Sequence, residues 1–481
     1  MKISEIFNLL KTQYELDFVD VDIEKDNHLY LDPFFISTRV DPWSVNASRT
    51  IKSFFQYTID LILANQTSQA KSLFMHLNEP NETCLGMSKG KPRGNGIGPD
   101  NAEHVFESLL KSKAVETGVV ENLEDTAIFI DGIGRDKVSD ATTNIIRNCL
   151  LEYTQNQCEL WSIPLTQNVP SGFYWDMDQR KWNQTYYKRL VISNKAYLLV
   201  PKQAVTFYKD YIAQQYYQHY ILNFLQDEHL ERNSGLVKIR TFKNGSSEKY
   251  VTKKDIADQE SPFSKEILRD FTRSHPEIFA DFQKEKSKSV KPLSNEQLSD
   301  ISLEEIAQVL KASLTNLPSG NNDASRYHKL MVGILELIFY PHLTHPIKEK
   351  EINDGRKRID IVMDNSAPAG YFHRLHDVHE IPSRYAFIEC KNYTHDLENP
   401  ELDQLSGRLS VNSSKFGMLF CRKIENKELI KNRCIDLWKQ KHELILVISD
   451  NDINKWLGDI ITSPDEILAD LETKQREVIV S

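Results

Sequence analysis

The chain has 481 residues, 40% of them hydrophobic and 27% charged, with a formal charge of −10. That length supports more than one core-bearing unit, and the composition is that of a folded protein, which excludes a disordered chain. Net acidity excludes a histone-like binder held by overall charge, although it leaves room for a local basic groove. The cysteines at 84, 149, 158, 390, 421 and 434 form no CxxC pair, so neither a zinc ribbon nor a disulfide framework is supported. Scattered thiols suit a reducing cytoplasm. The start, "MKISEIFNLLKTQYELDF", lacks the apolar core of a signal peptide, and no apolar run approaches the ~20 residues of a membrane span. The expectation is a cytoplasmic protein with no membrane association.

Residues 1–260 read as one large mixed α/β region. Strands are expected in "TAIFIDGIG" (126–134) and "KAYLLVPKQAV" (195–205), and helices in 50–66, 140–155 and 211–228. "GMSKGKPRGNGIG" (86–98) must be a loop, because such glycine density cannot hold helix or strand. Its Lys89, Lys91 and Arg93 could accompany a phosphate nest, but the GK[ST] ending of a P-loop is missing. Asp131, Asp136 and Asp140 surround a Gly-Ile-Gly turn. They suit a strand–turn–helix junction capped by Ser139, with a second metal site as the alternative.

Residues 261–321 read as a helical connector with a basic run at 284–291, ending in the linker-like "LPSGNND". A domain is expected over 322–481, near the size of an independent unit. Its order is helix (325–343), strands (344–352 and 356–364), an irregular stretch (366–383), strand (384–393), helix (399–409), strand (416–421), helix (427–440), strand (443–449) and a closing helix (450–460). That order predicts an α/β sandwich around a mixed sheet. His373, His376 and His379 are three apart, so they drift around a helix instead of stacking as a zinc pair would; a loop over the site is the expectation.

Asp360 stands between Ile359 and Ile361 on an apolar strand, where a lone carboxylate is costly unless paired or metal-bound. In "RYAFIECKNY", Glu389 and Lys391 share one face of a strand and Cys390 takes the other. Glu336 lies in the apolar run "GILELIF". Three carboxylates and a lysine converging at a sheet edge suit metal-assisted phosphodiester hydrolysis. The plainer alternative is a Glu389–Lys391 salt bridge. Between 403 and 433, Arg408, Lys415, Arg422, Lys423, Lys427, Lys431 and Arg433 outnumber the acids and could flank a phosphate backbone.

Asp360, "IECK" and the helix carrying Gln404 resemble the PD-(D/E)xK nuclease superfamily over roughly residues 325–460. The resemblance implies a restriction-endonuclease-like core. It implies that Asp360 and Glu389 bind Mg²⁺, with Mn²⁺ as a substitute, helped by the Cys390 backbone carbonyl. Lys391 would serve the attacking water, and Glu336 and Gln404 would complete the catalytic set, with Glu336 also at the metal. Ile359 departs from the proline usual before the aspartate. "ECKNY", "NPELDQLSGRLS" and "KFGMLFCR" are similar to bacterial restriction and anti-phage nucleases. The implied activity is an endonuclease on double-stranded DNA, as a homo-oligomer if both strands are cut, with the N-terminal region recognising or regulating. An RNA nuclease and an inactive nucleic-acid-binding scaffold subunit are the rivals.

Overall fold

The computed structural model describes residues 1–25, 27–86, 99–207, 210–352 and 357–480, with side chains described for the same residues apart from 99–102, 349–352 and 357–359. Lys89, Lys91 and Arg93 of the glycine-rich stretch lie outside the described residues.

The N-terminal region is built mainly on helices. α1 (Pro42–Leu63) starts where the Asp41 carboxylate accepts from Ser44 N, with proline at the first helical position. α2 (Arg135–Ile145) and α3 (Arg147–Trp161) follow. The expected strand at 126–134 is instead a short helix, Asp125–Phe129, and a turn. Its carbonyls are claimed by cations from α4 (Lys265–Ser274): Lys265 Nζ donates to Ala127 O (2.8 Å) and Ile130 O (2.6 Å), and Arg269 donates to Phe129 O (2.6 Å). Cations at a helix C-terminus satisfy its orphan carbonyls, so no strand partner is needed. Ser139 is not a cap. It lies inside α2 and accepts from Leu31 N at 3.0 Å.

The C-terminal half is a five-stranded mixed sheet. α5 (Leu303–Asn316) and α6 (Ala324–Phe339) lead into β1 (Leu343–Ile352) and β2 (Lys357–Asn365). α7 (Gly370–Asp377) occupies part of the stretch expected to be irregular. Then come β3 (Tyr385–Lys391), α8 (Asn399–Ser406), β4 (Phe416–Cys421), α9 (Lys427–Lys441), β5 (Leu444–Ser449) and α10 (Asp450–Thr462). The chain does not end its order there: α11 (Asp465–Ile479) buries Ile467, Leu471 and Val478.

β1, β2 and β3 form an antiparallel meander, and β4 and β5 add in parallel, in the order β1-β2-β3-β4-β5. β4 is buried throughout, as a central strand covered on both faces must be. Gly417 lets α8 approach it, since a Cβ there would come within 3.1 Å of Leu405.

The two halves share one hydrophobic core. Gln157 on α3 donates to Pro346 O (3.3 Å), and a Cβ on Gly333 of α6 would meet Glu15 and Lys11 near 3 Å. The stretch 317–323 is tied down: Asn392 Nδ2 donates to Pro318 O (3.1 Å) and Gly320 O (2.8 Å), and Arg422 to Leu317 O (2.7 Å). Among the described residues no helix is long and apolar enough to cross a membrane.

Candidate active site

The pairing of β2 with β3 sets the site. Ile361 faces Ile388, so the next position along the antiparallel register sets Asp360 against Glu389. Asp360 N lies 3.5 Å from Glu389 Oε1, and Asp360 Oδ2 accepts from Cys390 N at 3.0 Å. Lys391, two residues after Glu389 on the same face, places Nζ 3.2 Å from Glu389 Oε2 and donates to Gln404 Oε1 at 3.0 Å. Four expected side chains therefore converge: Asp360, Glu389, Lys391 and Gln404. Burial pushes the Cys390 thiol well above its ordinary value, so its backbone carbonyl, not its sulfur, is the group on offer to a cation.

Two neighbours were not assigned to this centre from sequence. Arg408 forms an ion pair with Glu389 Oε1, and both side chains are buried. His328, near the start of α6, brings Nε2 to 4.0 Å from Asp360 Oδ2. Arg408 was legible only as part of a basic stretch; nothing in "SRYHKLM" marks His328.

Glu336 is the correction. It lies eight residues beyond His328 on the same helix, about 12 Å further along the axis, and faces the N-terminal region. Its Oε2 is 3.4 Å from Lys202 Nζ, both side chains being fully buried. Burial, with Asp17 adding to it, pushes the Glu336 carboxyl up to about 8. Lys202 is held further by Asn295 Oδ1 (3.1 Å) and by the Tyr340 ring, 4.0 Å from its ammonium.

A domain of unknown function (DUF8370) is the family model that matches, over residues 8–213. No curated protein and no solved structure matches the chain. The matched span ends well before Asp360, so the convergence at β2 and β3 stands on geometry alone.

A second buried cluster joins the halves. A bulge in β1 between Thr344 and Ile347, with His345 at φ 52°, turns the imidazole out of the sheet pattern. Its Nδ1 lies 3.1 Å from Asp364 and 3.7 Å from Asp41, while Asp17 accepts from its backbone N–H at 3.1 Å. Asp41, His345 and Asp364 are close enough to share a cation. Burial alone would lower the imidazole, but the Asp364 hydrogen bond with Asp17 and Asp41 outweighs it and raises it to about 9. A charged imidazole already fills the role a metal would take, since metal binding needs the neutral ring.

Both shifts give stability the same pH dependence. Folded Glu336 keeps its proton to about 8 against an ordinary value of 4.5, and folded His345 to about 9 against 6.5. The folded state then holds more protons than the unfolded one across this range, so stability falls as pH rises. The His345 contribution, on the order of 3 kcal/mol, is present below pH 6.5 and lost by about pH 9. Melting temperatures between pH 5.5 and 9.5 should decline steadily, and a rise over that range would contradict this assignment.

The histidines of α7 do not assemble a zinc site. His373 pairs with Asp377 (2.8 Å), and His376 Nδ1 accepts from Ser383 N (3.4 Å). Among the described residues, Asp131, Asp136 and Asp140 form no metal-binding group either. Most of the basic flank is spent within the fold: Lys415 pairs with Glu443, Arg422 with Asp450, Lys423 with Glu425 and Lys431 with Glu428.

Proposed function

We propose that the chain is a metal-dependent endonuclease acting on DNA, with a restriction-endonuclease-like C-terminal core. The observation that carries this reading is the meeting of Asp360 and Glu389 across adjacent strands, with Lys391 reaching both Glu389 and Gln404. Two carboxylates and a backbone carbonyl are hard oxygen donors that suit Mg²⁺, with Mn²⁺ as a substitute. The Glu389 carboxylate is fully buried beside Asp360, and its Oε2 faces the Lys391 ammonium at 3.2 Å, the partner a bound cation would share it with. Such an ion, when bound, lowers the pKa of a water and offsets charge on the phosphate. Asp360 and Glu389 hold the donor set rigidly because both are on strands of one sheet. Lys391 keeps its ammonium at the mouth of the pair, oriented by Gln404, where it can steady a water or a phosphate oxygen.

Restriction or anti-phage defence is the setting this reading suggests, with the N-terminal region supplying recognition. A second reading has an observation of its own. Arg408 and Lys391 both neutralise Glu389, as in a structural ion-pair cluster of an inactive, nucleic-acid-binding subunit. Incubating the full-length protein with plasmid and with tRNA, in Mg²⁺ and in Mn²⁺, separates the readings. Plasmid cleavage supports a DNA endonuclease, tRNA cleavage alone an RNA nuclease, and neither supports the inactive subunit.

Lys391→Ala tests the lysine's role. Cleavage should fall about 10²–10³-fold, the scale for losing one preorganised charge-stabilising group. Mg²⁺ affinity should hold or rise, because a cation 3.2 Å from Glu389 Oε2 has been removed. Weaker Mg²⁺ binding by calorimetry would make Lys391 a structural partner of Glu389.

A further inference from the structure

β2 and β3 carry Asp360 and Glu389 near one end. Near their other end, about five residues or ~17 Å away along β2, lies a cavity of about 630 Å³ between α1 and the β2–β3 connection. Its size falls within the range of small-molecule sites. One wall comes from the N-terminal region and includes Pro42, Val45 and Arg49; the other comes from the β2–β3 connection and includes Pro368, Ser383 and Arg384.

Two features give this cavity a chemical preference, its cations and its apolar surface. Arg49 and Arg384 project from opposite walls, and neither guanidinium makes an ion pair among the described residues. Asp377 also lines the cavity, but it is engaged by His373 at 2.8 Å. The cations ask for an anion, while the proline and valine surfaces ask for an apolar body attached to it.

We infer that this cavity binds a nucleoside phosphate, with Arg49 and Arg384 on the phosphate and the base against Val45 and Pro368. Bare phosphate would leave most of 630 Å³ to water, and a half-open pocket of this size takes a single nucleotide, unlike the extended groove that tracks a strand. A ligand gripping both walls ties the N-terminal region to the two strands bearing Asp360 and Glu389. That consequence for cleavage rests on the nuclease reading; the binding does not.

The test is calorimetry on the full-length Asp360→Ala protein in EDTA, which removes metal-dependent binding at the carboxylates whether or not they are catalytic. AMP, ATP, adenosine, inorganic phosphate and a short single-stranded oligonucleotide are titrated separately. AMP or ATP should bind with a Kd in the micromolar range, and adenosine and phosphate at least about tenfold more weakly. Arg49→Glu and Arg384→Glu should each weaken nucleotide binding about tenfold or more, as expected for lost charge-assisted hydrogen bonds. Both residues are exposed, so these variants should keep their circular dichroism spectra. Absence of nucleotide binding, unchanged affinity in both arginine variants, equal affinity for inorganic phosphate, or binding of the oligonucleotide alone would each overturn the inference.

Discussion

Replacing Asp360 by alanine is expected to lower Mg²⁺-dependent cleavage at least about 10³-fold, the upper end for losing a group that stabilises transition-state charge. The fold should survive. Asp360 is partly exposed, and its loss removes one hydrogen bond, from Cys390 N–H, a cost of about 1 kcal/mol. Glu389 needs a different substitution. Glu389→Ala would leave the buried Arg408 without its carboxylate, and breaking a buried pair costs roughly 3–5 kcal/mol. Glu389→Gln keeps the volume and an acceptor for Arg408 while removing the charge a cation requires. It should match Asp360→Ala in lost cleavage and in weakened Mg²⁺ binding by calorimetry. Full turnover in either purified, folded variant would remove the pair from the active site. Glu336→Gln is the contrast: set against Lys202 and away from the carboxylate pair, it should leave Mg²⁺ affinity unchanged.

The difference between Asp360 and Glu336 also marks what the sequence could convey. A strand's side chains alternate strictly, so the order of residues in "IECK" is enough to place Glu389 and Lys391 on one face and Cys390 on the other. Pairing β2 with β3 then follows from two adjacent apolar runs in a meander. A buried glutamate on a helix carries no such constraint. Its apolar setting reveals that it needs a partner, but not which one, and Lys202 is 134 positions away in "VPKQAV". The same limit hid Arg408, which lies in the mostly buried stretch 405–409 with nothing in its sequence to show that its partner is Glu389. The expected strand at 126–134 failed for a related reason, because Lys265 and Arg269 supply distant partners to its carbonyls. Long-range polar contacts override local preference in all three places.

An isolated fragment of residues 322–481 is expected not to fold cooperatively, although length and composition present it as an independent domain. α6 explains why. Every residue from Leu330 to Phe339 is buried, so the helix is covered on both sides, by the sheet and by residues 1–321. Exposing even four of its large apolar side chains, at roughly 1.5–3 kcal/mol each, matches the ~5–15 kcal/mol that holds a whole domain together. Polar losses add to this. Glu336 would lose Lys202, and His345 would lose Asp41 and Asp17. α5, which packs on α10, would be absent, and Arg422 would lose its carbonyl acceptors on Leu314 and Leu317. The fragment should be poorly soluble or melt without a sharp transition by circular dichroism, while the full chain melts cooperatively. Adding back residues 1–321 as a separate chain should restore the transition if the interface is the missing element. A soluble fragment that melts cooperatively at the full-length temperature would show that the shared core contributes little, and that the boundary at residue 322 separates two independent folding units.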